Sequence, residues 1–378
     1  MNLYQISKPK ELKAYLKELG VNGGGVGIMA KKMEFFYIKI DELKTPAVNI
    51  LKQDALSVGA ELAVPSGVIV CEKEYYDCLL IGTKRQLEYL VKKEKAQPFG
   101  LKEVSSQIEA MLYTKSFATK IMGVLNINSD SFYNGSRFNQ KDAILQIEQM
   151  VKDGADIIDI GALSSRPGSK SISEDEELNR VKELLNTIKE QKLYNLAKFS
   201  IDSYAPKVIE YALNSGFSIV NDITGARDSK VIKLAKEYSA KLCIMHMQGT
   251  PQTMQQNPTY KSVTAEVDNF FKEQIAKCQE LGLNKDNIIL DVGIGFGKSL
   301  EHNLELLKNH KHFTHFGCEL LIGASRKSMI DKIYPSKVEA RLPGTLAIHL
   351  KALDRGANII RCHDVAEHKQ AIDVWSKL

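Results

Sequence analysis

No stretch of this sequence approaches the ~18 consecutive apolar residues that would suggest a membrane span. The opening MNLYQISKPKELKAYL also lacks the apolar core of a secretory signal. We therefore expect a cytoplasmic protein with no membrane partner. The six cysteines, Cys71, Cys78, Cys243, Cys278, Cys318 and Cys362, form no C-x-x-C pair and several sit in strand-like runs, so they read as reduced residues of the core or surface. Charge of one sign is not blocked anywhere. Lysine and arginine total 51 against 46 aspartates and glutamates, scattered along the chain, so no nucleic-acid partner is expected and small anionic substrates remain open.

Familiar catalytic signatures are also missing. Gly293–Ser299 (GIGFGKS) resembles a Walker A loop, but three residues separate Gly293 from Gly297 where that loop needs four. Ser325 lies in GASRK, which is not G-x-S-x-G, and no second histidine stands at zincin spacing from His246. The run at 23–27 (GGGVG) fits no phosphate-binding spacing and reads as a turn.

What is present is ordinary globular composition, 44% hydrophobic and 26% charged over 378 residues, enough for two domains or one large domain with an extension. From about residue 119 a unit repeats: a short apolar run, a polar or glycine-rich loop, then a helical stretch. The runs are Ile121–Ile127, Asp156–Ala162, Lys198–Asp202, Ser218–Thr224, Lys241–Met247, Asn287–Gly293, Glu319–Ala324 and Asn358–His363. They are continuous rather than alternating, as parallel strands buried on both faces require. Helical stretches such as Ser173–Lys189, Pro206–Asn214, Ser229–Tyr238 and Ser262–Leu281 lie between them. Eight such units in residues 119–378 match the length of a (β/α)8 TIM barrel, ~250 residues; a doubly wound sheet is the alternative. Residues 1–100 have a separate rhythm and read as a small α/β domain of unknown role. It holds helices near Pro9–Leu19, Pro46–Val58 and Lys84–Lys95, and strands Glu34–Ile40, Val68–Cys71 and Cys78–Ile81. Residues 101–118 read as a linker and helix, Lys102–Leu112.

In a barrel, chemistry sits where strands end. Here the ends are polar: Asn126 with Asn128, Ser129 and Asp130; Ser164, Ser165, Arg166 and Pro167; Asp202; Asn221 and Asp222; His246; Asp291; Ser325, Arg326 and Lys327; Arg361 and His363. Carboxylates and amides suit a heterocycle rich in donors, because a buried carboxylate is costly unless it is paired, and an amino-pyrimidinone edge would pair it bidentately. The cations suit a diphosphate, for which Asn126 could supply an oxygen to bound Mg2+.

The stretches MGVLNINSDSFYNGSRF (122–138), DIIDIGALSSRPGS (156–169), FSIDSY (199–204), IVNDITG (219–225), MHMQGTPQTMQQNP (245–258), ILDVGIGFGKSLEHN (289–303), IGASRKS (322–328), RLPGTLA (341–347) and IIRCHDV (359–365) occur in this order. Over residues 119–378 the chain resembles the bacterial dihydropteroate synthase family. The resemblance implies a pterin-binding barrel that joins 6-hydroxymethyl-7,8-dihydropterin diphosphate to 4-aminobenzoate. It implies a pterin pocket of Asp202, Asn221, Asp291, Lys327, Met245 and Arg361, and Asn126 as the Mg2+ ligand. Diphosphate contacts fall on Arg166, Arg361 and His363, and an aminobenzoate side on Ser165, Pro167, Phe296, Ser325 and Lys327. Asp202, Arg166, Lys327 and His363 are the expected catalytic residues, in a homodimer open to sulfonamides. The chain departs from the family pattern at Asn128, Ser129, Asn134, Leu163 and Val292, which bears on loop chemistry rather than on the pocket. A pterin-binding methyltransferase, or a non-catalytic pterin-binding protein, are the competing readings.

Overall fold

The computed structural model describes the chain except residues 1, 2, 5, 7, 8, 10, 128–136, 162–171, 251 and 255, and of residues 137–140 only the backbone. It divides into two compact units, Met1–Thr114 and Lys115–Leu378.

The first unit opens with helices α1 (Leu12–Glu18) and α2 (Gly23–Met33). The run at 23–27 is therefore the start of a helix and not a turn: Asn22 caps it, accepting from the Gly24 N–H at 3.2 Å. Then follow β1 (Phe35–Lys44), α3 (Thr45–Ser57), β2 (Glu61–Ala63), β3 (Tyr75–Thr83), α4 (Lys84–Glu94) and α5 (Leu101–Leu112). The strands form an antiparallel sheet in the order β1-β3-β2. Val68–Cys71 is not a strand. Ser66–Val68 is a short 3-10 turn and Cys71 has φ +54, while the third strand is Glu61–Ala63, whose Leu62 is fully buried. Leu101, Ile108 and Leu112 of α5 join Leu51, Leu80 and Leu90 in this unit's core, so the helix read as a connection packs within the first unit.

The second unit is a closed barrel of parallel strands in sequential order. They are β4 (Lys120–Asn126), β5 (Ile157–Gly161), β6 (Lys198–Asp202), β7 (Ile219–Asp222), β8 (Lys241–Met245), β9 (Ile288–Asp291), β10 (Glu319–Ile322) and β11 (Ile359–Cys362). Helices α6 (Arg137–Lys152), α7 (Glu174–Glu190), α8 (Pro206–Asn214), α9 (Ser229–Glu237), α10 (Val263–Glu280), α11 (Leu300–Lys308), α12 (Ser328–Ile333), α13 (Leu342–Leu353) and α14 (Val365–Lys377) follow the strands. The helices form where capping and spacing dictate. Ser262 accepts from the Ala265 N–H to start α10, whose Val263, Val267, Phe271, Ile275 and Cys278 recur on one buried face.

Inside the barrel the strands' period of two sets up layers. Met122, Ile157, Ile219, Cys243, Ile289, Leu321 and Ile359 form one apolar layer. Two residues further along the same strands stand Val124, Asp159, Asn221, Met245, Asp291, Gly323 and Arg361, four of them polar. The alternation thus turns an apolar floor into a polar layer within one pleat. At the other end of the strands the buried Glu319 carboxylate pairs with Lys120 and Lys241, tying β10 to β4 and β8.

Candidate active site

Four polar side chains, those of Asp159, Asp202, Asn221 and Arg361, are bonded into one network. Arg361 on β11 donates from Nε to Asp159 Oδ2 and from Nη2 to Asp202 Oδ2, both at 2.7 Å. Asn221 Nδ2 donates to the same Asp159 oxygen at 3.1 Å, while Asp159 Oδ1, fully buried, has no hydrogen-bond partner among the described residues. Asp159 was not read from the sequence, because it lies in the middle of the apolar run Asp156–Ala162. Burial raises the Asp202 pKa to about 7, with Asp159 and Asp222 pushing the same way and the Arg361 guanidinium opposing.

Asp291 ends β9 and accepts from the Gly293 N–H at 2.8 Å; burial raises its pKa against the pull of Lys327. Burial lowers Lys327 to about 8, opposed by Asp291. The Lys327 ammonium donates to the Ile294 carbonyl and lies 4.4 Å from the centre of the Phe296 ring. Beside them Met245 packs with Ile223, Met247 and Met254, and against Tyr204 and Phe296, making an apolar wall. Ser325, buried, shares a 2.9 Å hydrogen bond with Nδ1 of the exposed His363, and Asn126 is exposed at the end of β4.

The structure thus brings Asp202, Asn221, Asp291, Lys327, Arg361, Met245, Phe296, Ser325, His363 and Asn126 to the C-terminal ends of their strands or just beyond. Arg166, Ser165 and Pro167 lie outside the described residues, as do Asn128, Ser129, Asn134 and Leu163.

Two other strand-end residues are structural. Asp222 accepts from Thr224 N at 2.7 Å, Thr224 Oγ1 at 2.6 Å and Ala226 N at 3.0 Å, so it closes the turn after β7. His246 meets Lys298, whose ammonium donates to the His246 carbonyl at 3.1 Å and the Phe296 carbonyl at 2.9 Å and lies 3.0 Å from His246 Nδ1. Burial lowers His246 to about 3 and Lys298 to about 7. This tripod pins the glycine loop 293–297 beneath β8. A Cβ on Gly293, at φ +68, would stand 2.0 Å from the His246 carbonyl oxygen, so only glycine fits there.

A single amide oxygen at an exposed strand end is compatible with Mg2+, which keeps several waters and takes phosphate oxygens in place of a full protein cage.

Residues 122–363 match the family described as pterin binding enzyme. The bifunctional dihydropteroate synthase/dihydropteroate reductase of Helicobacter pylori is 43% identical over 371 residues, 98% of this chain and 97% of that protein. The dihydropteroate synthase of Escherichia coli K12 is 42% identical over 255 residues, 67% of this chain and 89% of its own length. Among solved structures, the dihydropteroate synthase of Thermus thermophilus in complex with 4-aminobenzoate superimposes with a TM-score of 0.62 at 34% identity, covering 69% of this chain and 95% of that one. On its barrel, its polar layer and these likenesses together, the chain belongs to the dihydropteroate synthase family of pterin-binding enzymes.

Proposed function

We propose that this chain condenses 6-hydroxymethyl-7,8-dihydropterin diphosphate with 4-aminobenzoate, giving 7,8-dihydropteroate and diphosphate, a transferase step of folate biosynthesis. One observation carries the reading to these residues: acceptors for a donor-rich heterocycle and cations meet at the same strand ends, with Asp159, Arg361, Asp202 and Asn221 bonded together and Asp291 and Lys327 beside them. The cations also weigh against methyl transfer, which has no diphosphate to neutralise.

On this reading Asp291 and Asn221 hold the amino-pyrimidinone edge, Met245 lies against the ring, and Arg361 is held flat beside it by two carboxylates. Diphosphate leaves first, its charge met by Arg166, Lys327 and His363, and the arylamine nitrogen then captures the pterin cation. Asp202 stabilises that cation. Phe296, Ser325, Ser165 and Pro167 bound the aminobenzoate side. Mg2+ held through Asn126 would neutralise phosphate charge when bound. We place the reaction in the cytoplasm, where the free thiols stay reduced, in a homodimer that binds sulfonamides as mimics of aminobenzoate.

The test is direct. Purified protein with Mg2+ and both substrates is expected to form dihydropteroate and release one diphosphate per turnover, and no product under these conditions would refute the reading. The same preparation run on a sedimentation gradient tests the dimer.

A second reading rests on the Helicobacter pylori relative, whose likeness spans 98% of this chain and so includes the first unit. Here the chain would also reduce its own product. Oxidation of a reduced nicotinamide cofactor that depends on added dihydropteroate is the expected signal.

A further inference from the structure

On the outer wall of the barrel, away from the polar layer, α10 meets the 3-10 segment His310–Phe316 that precedes β10. Asp268, second turn of α10, is almost wholly buried there. Its Oδ1 faces two imidazole nitrogens, Nε2 of His312 at 3.0 Å and Nε2 of His315 at 2.6 Å. These three atoms lie within 4.8 Å of one another, and this is the one such cluster of three metal-ligating side chains among the described residues.

We propose that Asp268, His312 and His315 form a binding site for a borderline divalent cation, Zn2+ foremost, with one coordination position left to water. The donor set supports it. Two imidazoles and a carboxylate are a combination zinc accepts, and the third edge of the cluster opens to solvent on the side of His312, whose side chain is 27% exposed against 12% for His315 and 7% for Asp268. Ligand atoms around tetrahedral zinc stand about 3.3 Å apart, so the contacts of 3.0 and 2.6 Å need to widen by about 0.3 and about 0.7 Å. Each neutral imidazole gives up the Nε2 position to the metal by carrying its proton on Nδ1 instead.

The other carboxylate oxygen is already occupied. Lys272, one turn along α10, already pairs with Asp268 Oδ2 at 2.6 Å. The carboxylate is therefore neutralised without the histidines, which are surplus to its needs as a salt bridge. Lys272 also supplies the outer hydrogen bond that orients a ligating carboxylate.

The frame is rigid. Phe271, one turn from Asp268, packs edge-on against Phe313 and Phe316, with ring centroids 5.7 and 5.9 Å away. Each of these phenylalanines directly follows one of the two histidines. The aromatic trio fixes α10 and the 3-10 segment in the register that aims all three ligands at one point. A metal there would clamp two neighbouring pieces of barrel wall and would not touch substrate. The nitrogen-rich set also separates this site from Mg2+, which prefers oxygen.

The experiment uses the full chain, stripped with EDTA and titrated with Zn2+ in the presence of excess Mg2+. One saturable equivalent is expected, with Tm raised by roughly 5 °C at a hundredfold excess over Kd. Co2+ in place of Zn2+ is expected to give visible absorption of a four- or five-coordinate nitrogen–oxygen site. Asp268→Asn, which keeps an acceptor oxygen for the imidazoles, and His312→Gln, at the more exposed ligand, should each weaken Zn2+ at least tenfold and change the Co2+ spectrum while dihydropteroate formation persists. Absence of saturable Zn2+ uptake overturns the proposal. So does uptake that neither variant alters, which would assign the metal to other residues; circular dichroism of both variants confirms that the comparison is between folded proteins.

Discussion

Arg361 reaches the pocket already committed to two carboxylates, and that commitment decides what its neighbours can do. With its Nε and Nη2 engaged by Asp159 and Asp202, the guanidinium is a rigid plate rather than a mobile cation, which is why Asp291 is left as an acceptor for an incoming donor edge. Asp291→Asn keeps an oxygen for the Gly293 N–H and removes only the charge. Losing a charge-assisted pair worth about 1.5–3 kcal/mol should weaken pterin binding roughly 10- to 100-fold with Tm nearly unchanged; titration calorimetry showing native affinity would remove Asp291 from the pocket. Asp202, Asn221, Asp291 and Lys327 were visible in the sequence because polar residues at the ends of apolar runs need a reason. Asp159 was not, since it interrupts a run that reads as buried strand. Its signal was the inward register two residues after Ile157, matched by Asn221 after Ile219, Asp291 after Ile289 and Arg361 after Ile359.

Among the elements, the loop after β9 shows how a sequence that resembles a phosphate loop serves another end. Gly293, Gly295 and Gly297 all have positive φ, and the chain folds back so that Lys298 is buried against His246 and Phe296 rather than reaching for a phosphate. The spacing excluded a Walker loop, but nothing in it announced a buried lysine. Lys298→Met fills the space and deletes the tripod, leaving the His246 and Phe296 carbonyls without that donor. We expect the loop to slacken and kcat/KM for aminobenzoate to fall roughly 10- to 100-fold, since Phe296 and Lys327 lie on it or against it. Pterin affinity should change less than twofold, and steady-state kinetics against calorimetry separates the two. If both fall together, the lysine supports the whole pocket. The first unit was harder to read at this scale: β2 has only three residues, and Ser66–Gly67 turns the chain before the apolar stretch that looked like a strand.

At the scale of the molecule, the first unit carries its own titratable weak point. Glu94 closes α4 fully buried, and burial, with the Asp54 charge and a hydrogen bond to Asp54 both favouring its protonated form, raises its pKa from 4.5 to about 7. A raised carboxyl favours the folded state fully below about pH 4.5 and progressively less as pH climbs through 7, an effect of at most about 3 kcal/mol. Glu94→Gln, neutral at every pH, should therefore raise the Tm of the first unit at pH 8 by roughly 5 °C or more and by much less at pH 5. Calorimetric scans giving the same gain at both pH values would place the weakness elsewhere. The whole chain carries a formal charge of +5, a field that draws anions toward it, yet the deep layer of the barrel sets Asp159, Asp202 and Asp291 against Arg361 and Lys327. An inhibitor designer meets two opposite tastes in one cleft. A warhead built around a carboxylate or phosphonate belongs at the rim, whereas the head group pushed to the floor should be a neutral or cationic donor such as an amidine or a guanine-like edge, because there Arg361 is already held by Asp159 and Asp202.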